Sequence, residues 1–386
     1  MNVMKDDTNI QSNSINYWGN YEEEKRPKVR YDPLQSFIEN NKIFGFRIHL
    51  IPLRGNRPRE NVIRVKKDQL NYTDKETSIL MQIYLGNDFA IPIAGDDKCI
   101  GKPTDNPRKL NFENYKGICI LNKYSPLSIN HTEAGGISLV AFSHKYTENL
   151  DDVSPIYDIL ISIQTALRSL IIDKSNRKDL VVPVVFFNVG PSSGASLKQL
   201  HGQAYAVNSA NGLLTYAFMK SFAQNNDCLT CRLSRENRLI DHIEQELDQT
   251  DRIIWEDQYV RLLSPYAPIR PFSLRILPKN HRNWLGESTK EEIHSISYAL
   301  YLAHNLIISV SPSGWPLLTD RTIVFRQSSS IDYDYHYFVD ILPCLPLGGS
   351  ELIDSLSITS IDPDRLAASM KRNLDEIINF NKNFYE

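Results

Sequence analysis

The chain has 386 residues, 41% hydrophobic and 10% aromatic, enough for a large buried core and for two to three average domains. Its net charge of −3 leaves no electrostatic footprint for nucleic acid or an anionic membrane, so any phosphate binding must be local. No apolar run reaches the roughly 18 residues of a membrane helix; residues 1–26 lack an apolar signal core, and five scattered cysteines argue against a disulfide framework, so a cytoplasmic protein is expected.

Residues 1–28, with the run Glu22-Glu-Glu24, read as a disordered N-terminal arm, and order is expected to begin near Arg30-Tyr-Asp-Pro-Leu34. A strand over 44–53 ends in Arg54-Gly-Asn-Arg57-Pro58. Two guanidinia three residues apart on a loop can fork a diphosphate, and the bland alternative is a solvated basic loop. Residues 60–115 are the least legible. The apolar segment Ile118 to Tyr124, which contains Asn122, predicts a strand, as does Gly135 to His144. A helix over 151–174 follows, with Ile156, Ile159, Leu160, Ile163, Leu167, Leu170 and Ile171 at three-to-four spacing.

Val181 to Phe187 reads as a buried strand, Gly190-Pro-Ser-Ser-Gly194 as a turn, and Gln199 to Val207 as a returning strand. Alternation would then project Gln199, His201 and Gln203 together. Such a face suits chemistry at phosphorus. A neutral imidazole attacks a phosphoryl group in line, and amides with glycine-rich backbone N–H groups hold the non-bridging oxygens without added charge. The competing explanation is a buried histidine satisfied by neighbouring amides.

Helices are expected over 211–224 and, beginning at Asn226-Asp-Cys228-Leu-Thr-Cys231, on to about 249. Gln258 to Pro268 and Pro271 to His281 then repeat the order of strand, Tyr-x-Pro turn, strand and histidine seen in the first half. A helix with a Ser288-Thr-Lys-Glu291 capping box and the polar-faced strand His336-Tyr-Phe-Val-Asp340 complete the repeat. Asp362-Pro363 opens a last helix. The reading is α+β: a duplicated unit of antiparallel sheets flanked by helices, over 29–210 and 211–386. Phe338 holds the place of a second nucleophile, so only the first half would be catalytic.

Asn188-x-Gly-x-x-x-Gly194-Ala-Ser196-Leu followed by His201-x-Gln203 resembles the active-site segment of the galactose-1-phosphate uridylyltransferase branch of the histidine-triad superfamily. The resemblance implies a two-repeat half-barrel of histidine-triad-like units and a nucleotidyltransferase with a covalent nucleotidyl-histidine intermediate. It would move a nucleoside monophosphate from a nucleotide sugar, or a similar nucleoside diphosphate ester, to a sugar 1-phosphate or to inorganic phosphate. By that resemblance His201 is the nucleophile and Gln203 holds the transferred phosphate. Arg54, Arg57, Asn188, Gly194 and Ser196 would bind phosphates, with Gln199 joining them on the strand face that alternation gives, and Asn122 the base or ribose, with Asn87-Asp-Phe89 as a rival for that match. Gln199 stands where the family has a zinc-ligating histidine, and Leu200 replaces the usual proline. The first zinc site is reduced to Asp96, Cys99 and His144 at most, with the segment from Met81 to Asn87 as a rival alignment; a metal-free N-terminal half is the expectation. Cys228, Cys231, His281 and His336 follow the order of the family's zinc site and imply a closed, structural zinc in the second half. Alternatives are a dinucleoside polyphosphate (Ap4A-type) phosphorylase and a non-catalytic nucleotide-binding homologue. The family is compatible with a homodimer, since its arginine loop and sugar contacts can come from a partner.

Overall fold

The computed structural model describes residues 28–40, 42–50, 78–123, 125, 127, 136–172, 182–207, 228–236, 238–240, 246–248, 250–311, 318–327, 335–345 and 357–385. Arg54, Arg57, most of the N-terminal arm and the helix expected over 211–224 lie outside the described residues.

Strands β1 (Lys28–Glu39) and β2 (Lys42–Leu50) form an antiparallel hairpin. The stretch 78–121 resolves into helix α1 (Ile79–Tyr84) and strands β3 (Pro92–Gly95), β4 (Lys98–Cys99) and β5 (Gly117–Leu121). Then come β6 (Gly136–Ser143), helix α2 (Val153–Ile172), β7 (Val182–Val189) and β8 (His201–Val207). Helix α3 (Leu229–Arg235) stops after seven residues, and β9 (Arg238–Ile240) and β10 (Glu246–Asp248) pair as a hairpin where a continuous helix to 249 is expected from the sequence. The remaining elements are β11 (Ile253–Glu256), β12 (Val260–Leu263), β13 (Leu274–Pro278), helix α4 (Lys290–Ser309), β14 (Arg321–Arg326), β15 (Phe338–Pro343), β16 (Ser357–Thr359) and helix α5 (Pro363–Tyr385).

Eleven strands form one antiparallel sheet in the order β11-β12-β13-β15-β14-β7-β8-β6-β5-β3-β4. Outward from the central β14–β7 pair, β7, β8, β6, β5 and β3 are met on one side, and β14, β15, β13, β12 and β11 on the other. Each series follows the same chain logic: three outer strands, a helix, then two strands at the centre. Helix α2 lies on β5, β6 and β8, helix α4 on β12 and β13, and the two helices pack against each other. Their apolar faces, Ile156, Ile159, Ile163 and Leu167 in α2 and Ile293, Ile296, Leu300 and Leu302 in α4, are wholly buried and merge into one core. This burial is the main drive for the layered arrangement.

The capping box of α4 sits one residue later than the sequence reading. Thr289 accepts from the Glu292 backbone, and the Glu292 carboxylate accepts from the Thr289 N–H, because Glu292 is also held by Asn280 and Arg282. At α5 Asp362 caps as expected, its Oδ1 accepting from the N–H groups of Asp364 and Arg365.

Candidate active site and metal cluster

In the register of β6 with β8, Phe142 faces His201, Val140 faces Gln203 and Ser138 faces Tyr205; β7 sets Phe186 against Gln203 and Val184 against Tyr205. Directly opposed residues share a sheet face, so His201, Gln203, Tyr205, Phe186 and Ser138 line the side away from α2. Gly202 faces the helix. A Cβ there would stand 2.7 Å from Ile163 Cδ1 and 2.8 Å from Ile159 Cγ2, so glycine is the residue that lets α2 lie this close beneath the histidine. Asn122 donates through its side chain to Ser138 Oγ at 3.0 Å, which puts it on the same face as Tyr205 and Gln203.

His201 is buried, 3% exposed, and its Nδ1 lies 2.7 Å from the backbone carbonyl of Gln199. A carbonyl only accepts, so Nδ1 carries the proton and Nε2 keeps its lone pair. Burial lowers the affinity of the ring for a second proton, against a smaller opposing effect of the Gln199 carbonyl, and the ring is neutral at pH 7.

Gln199 precedes the strand instead of beginning it, and its side chain does not join the phosphate-facing row expected from alternation. Its Oε1 accepts from Ser78 Oγ at 2.5 Å, and its Nε2 donates to the Ser143 carbonyl at 3.3 Å and to Met81 Sδ at 3.4 Å. Both ends of the amide are engaged inside the protein, which corrects its assignment to phosphate binding.

The turn after β7 is likewise closed on itself. Gly190 has φ 80° and Gly194 φ 84°, conformations that favour glycine. Ser193 N–H donates to Gly190 O, Gly194 N–H to Pro191 O, and Ser192 N–H to Asp320 Oδ2 at 2.7 Å. These three amides are therefore not the free donors that the turn composition suggests. Ser196 and Gly194 remain exposed, and half-buried Asn188 lies opposite Thr322 of β14. Sequence reading missed Ser78, Asp320 and the Phe186–Tyr205 edge contact, whose ring centroids are 5.2 Å apart, and met Met81 only as the start of the rival alignment for the first zinc site. Only the alternation of Val184, Phe186 and Asn188 hinted at the last. The groove lined by Asp97, Cys99, Gln164, Arg168, Ser288 and Lys290 includes none of the residues around His201.

In the second half, Cys228, Cys231, His281 and His336 converge, with ligand atoms all within 4.8 Å of one another. Cys231 Sγ is 3.3 Å from His281 Nδ1 and 3.2 Å from His336 Nδ1, and Cys228 Sγ is 3.6 Å from His336 Nδ1. Tetrahedral zinc with its usual bond lengths has S···N edges of about 3.5 Å, so the donor set fits that ion. Burial pushes the Cys228 thiol up to about 12 and drops His336 to about 3, so the imidazole offers a lone pair and a central cation would release the thiol proton. Among the described residues no other His, Cys, Asp and Glu group converges in this way. Asp96, Cys99 and His144 do not. Asp96 Oδ1 accepts from the N–H groups of Lys116 and Gly117, Cys99 is exposed, and His144 Nδ1 lies 3.1 Å from the Lys116 carbonyl.

Phe338, at the start of β15, is fully buried under Arg275, whose guanidinium carbon is 4.4 Å from the ring centroid. Arg275 pairs with Asp32 of β1 and with Asp340, and Gln35 donates to both carboxylates. The face that corresponds to the His201 face is thus filled by an ionic cluster and covered by β1.

No protein-family model matches the chain. Among curated proteins it is 30% identical over 116 residues to galactose-1-phosphate uridylyltransferase of Haemophilus influenzae, covering 30% of this chain and 32% of that protein. It is 22% identical over 201 residues to the enzyme of that name from Hypocrea jecorina, half of each chain, and 23% identical over 247 residues to ADP-glucose phosphorylase of Arabidopsis thaliana, covering 60% of this chain and 63% of that one. The chain therefore matches less than two thirds of the length of each of these relatives. Its fold is shared with the crystal structure of the Arabidopsis thaliana ADP-glucose phosphorylase, at TM-score 0.65 and 19% identity over 90% of this chain and 98% of that one. It is also shared with a uridylyltransferase structure, at TM-score 0.57 and 21% identity over 72% of this chain and 94% of that one. Among the described residues no helix is long and apolar enough to cross a membrane.

Proposed function

We propose that the chain is a nucleotidyltransferase that works through a nucleotidyl-His201 intermediate, taking a nucleoside monophosphate from a nucleotide sugar or similar nucleoside diphosphate ester and giving it to a sugar 1-phosphate or to inorganic phosphate. The observation that carries this reading is the 2.7 Å bond from His201 Nδ1–H to the Gln199 carbonyl, which leaves Nε2 as the nucleophilic atom of a neutral ring. In the first step Nε2 forms a bond to the α-phosphorus and the bond from that phosphorus to the bridging oxygen breaks, releasing the sugar 1-phosphate. The ring becomes cationic, and the Gln199 carbonyl facing Nδ1–H stabilises that charge. In the second step an oxygen of the acceptor phosphate attacks the α-phosphorus and the P–N bond breaks, returning the neutral imidazole. Gln203, on the same face, holds a non-bridging oxygen, and no imidazolium stands beside it to assist water, which favours transfer over hydrolysis. Arg54 and Arg57 would add charge to the diphosphate, Asn188 and Ser196 would orient it, and Asn122 would meet the base or ribose.

The curated relatives named for galactose-1-phosphate uridylyltransferase and ADP-glucose phosphorylase support a nucleotide-sugar donor, as does the fold neighbour with bound ADP-glucose. We read the matching strand series as a duplicated histidine-triad-like unit, with the nucleophile in the first half and the cluster of Cys228, Cys231, His281 and His336 in the second. Those four residues would hold a structural zinc that contributes folding energy and leaves no open position for chemistry. The test is incubation with α-labelled UDP-, ADP- and GDP-sugars. The expected product is an acid-labile, alkali-stable label on the protein, discharged by phosphate or by a sugar 1-phosphate. Absence of label with every donor, or its survival in His201→Ala, refutes the mechanism.

A further inference from the structure

The two series of strands place four positions in equivalent settings. Cys228 N-caps α3, its Sγ accepting from Cys231 N–H, and Ser78 N-caps α1, its Oγ accepting from Met81 N–H. His336 stands two residues before the start of β15, and Gln199 two before the start of β8. The amide of the next residue is tied in both cases to the loop leaving the neighbouring strand: Tyr337 N–H to Arg282 O at 2.9 Å, and Leu200 N–H to Thr147 O at 2.7 Å. His281 and His144 both follow the strand that pairs with that start, β13 and β6. Cys228, Cys231, His281 and His336 thus correspond to Ser78, Met81, His144 and Gln199.

The chemistry of the two sets differs. In the second half, two thiols and two imidazoles converge as a metal-binding set. In the first, the hydroxyl, the thioether and the amide close on one another: Ser78 Oγ on Gln199 Oε1, and Gln199 Nε2 on Met81 Sδ and the Ser143 carbonyl. All four of these residues are buried. A hydroxyl, a thioether and a neutral amide make no stable zinc site, since zinc takes thiolate, imidazole and carboxylate ligands.

We infer that Ser78, Met81, Ser143 and Gln199 form a metal-free clamp that does in the first half the structural work of the Cys/His cluster in the second, and that Gln199 is a positioning residue for His201. The inference rests on the reading of His201 as nucleophile. Its physical content is a relay of two bonds. The clamp fixes the Gln199 side chain, and the carbonyl of the same residue receives Nδ1–H of His201, so the clamp selects the tautomer with a lone pair on Nε2. His336 keeps no such duty, because its carbonyl accepts from Thr230 Oγ1 and Phe338 stands in the nucleophile's place.

The test follows the His201 ring in the full chain carrying ¹⁵N-labelled histidine, its signals identified by their loss in His201→Asn. The wild type is expected to show one tautomer, protonated on Nδ1. Gln199→Ala is expected to show a mixture of tautomers, with kcat down by about ten- to a hundredfold and KM for the nucleotide sugar changed less than about twofold. A ring spectrum unchanged in Gln199→Ala overturns the positioning role. The second arm is the triple substitution Ser78→Cys, Met81→Cys and Gln199→His, which recreates with His144 the donor set of the other half. It is expected to bind one more zinc per chain than the wild type, and to restore the single tautomer. No additional zinc overturns the correspondence of the two sets. The two deciding readouts, the ring spectrum and the zinc content, need no turnover, so failure of the clamp is distinguishable from failure of the nucleotidyl transfer, which appears separately as absence of label on the wild type.

Discussion

Arg275 Nε donates to Asp340 Oδ1 at 2.7 Å, and both side chains are almost entirely buried. The other end of the guanidinium holds both oxygens of Asp32, at 3.1 and 2.7 Å, which carries β1 onto the sheet. Attraction to both carboxylates outweighs the burial that opposes the charge, and raises the hold of Arg275 on its proton. Breaking a buried pair leaves an uncompensated charge, so Arg275→Met should lower unfolding stability by about 3–5 kcal/mol in urea titration. The Asp32→Asn, Asp340→Asn double variant should leave the guanidinium unpaired and cost a similar amount. A loss below about 1 kcal/mol in both would show that β1 is held by other contacts.

The same cluster sets an acid limit. Burial works against the charged form of Asp32, but the Arg275 charge and its hydrogen bonds win, and the carboxyl lies below its ordinary value of 3.8. A carboxyl whose folded value is depressed adds stability that is complete above the unfolded value and is lost as pH falls through the folded one. The wild type should therefore lose stability steeply below about pH 4. Asp32→Asn should be less stable at pH 7 and flatter across the acid range, as read by denaturation midpoints at several pH values.

Much of this architecture was legible because it rests on periodicity. The run from Ile156 to Ile171 and the Asp362-Pro363 start each match an element, as do the strands around Ile118 and Val185. The family resemblance, with the repeat, also implies a ligand set of Cys228, Cys231, His281 and His336, and these four side chains converge. What escaped was decided by side-chain partners far apart in the chain. Strand alternation puts Gln199 in the phosphate-facing row, yet it precedes the strand and answers to Ser78, 121 residues away. The composition of the turn at Gly190 suggests free donors, yet its Ser192 amide is claimed by Asp320, 128 residues on. The pairing of Arg238–Ile240 with Glu246–Asp248 escaped because a polar stretch offers no apolar stripe to tell helix from strand.

Gly202 is open to a direct test. An added methyl would enter the contact between β8 and α2, against Ile159 and Ile163, and overpacking of a filled core typically costs about 1–3 kcal/mol. Gly202 also lies between His201 and Gln203, so a shift that accommodates the methyl moves both. Gly202→Ala should lower stability by that amount and reduce label formation more than it weakens nucleotide binding. Thermal melts and a binding isotherm on the same sample separate the two effects.

The Cys/His cluster predicts a metal dependence that is structural and not chemical. Chelator-washed protein should retain about one zinc per chain, the content of a single closed four-ligand site. Cys228→Ser should lose it, with a destabilisation on the order of 4 kcal/mol, the range in which loss of a metal places a substitution. A Cys228→Ser protein that keeps its zinc, or a wild type that holds none, removes the site.

The proton inventory at His201 gives the last prediction. Burial pushes the ring below its ordinary value of 6.5, and the Gln199 carbonyl only partly offsets this. The nucleophile is the neutral ring, so its reactive population falls only when pH drops through the depressed folded value. An exposed histidine would lose half its neutral form at about pH 6.5. Here the rate of single-turnover label formation should stay level from pH 8 down through that point and decline only in more acid solution. Gln199→Ala changes the tautomer more than the burial, so its rate should be lower at every pH, with the profile keeping its shape. A wild-type midpoint at or above 6.5 in the single-turnover rate, with the fold intact by circular dichroism, would mean that the ring titrates like an exposed one and is not held neutral by burial.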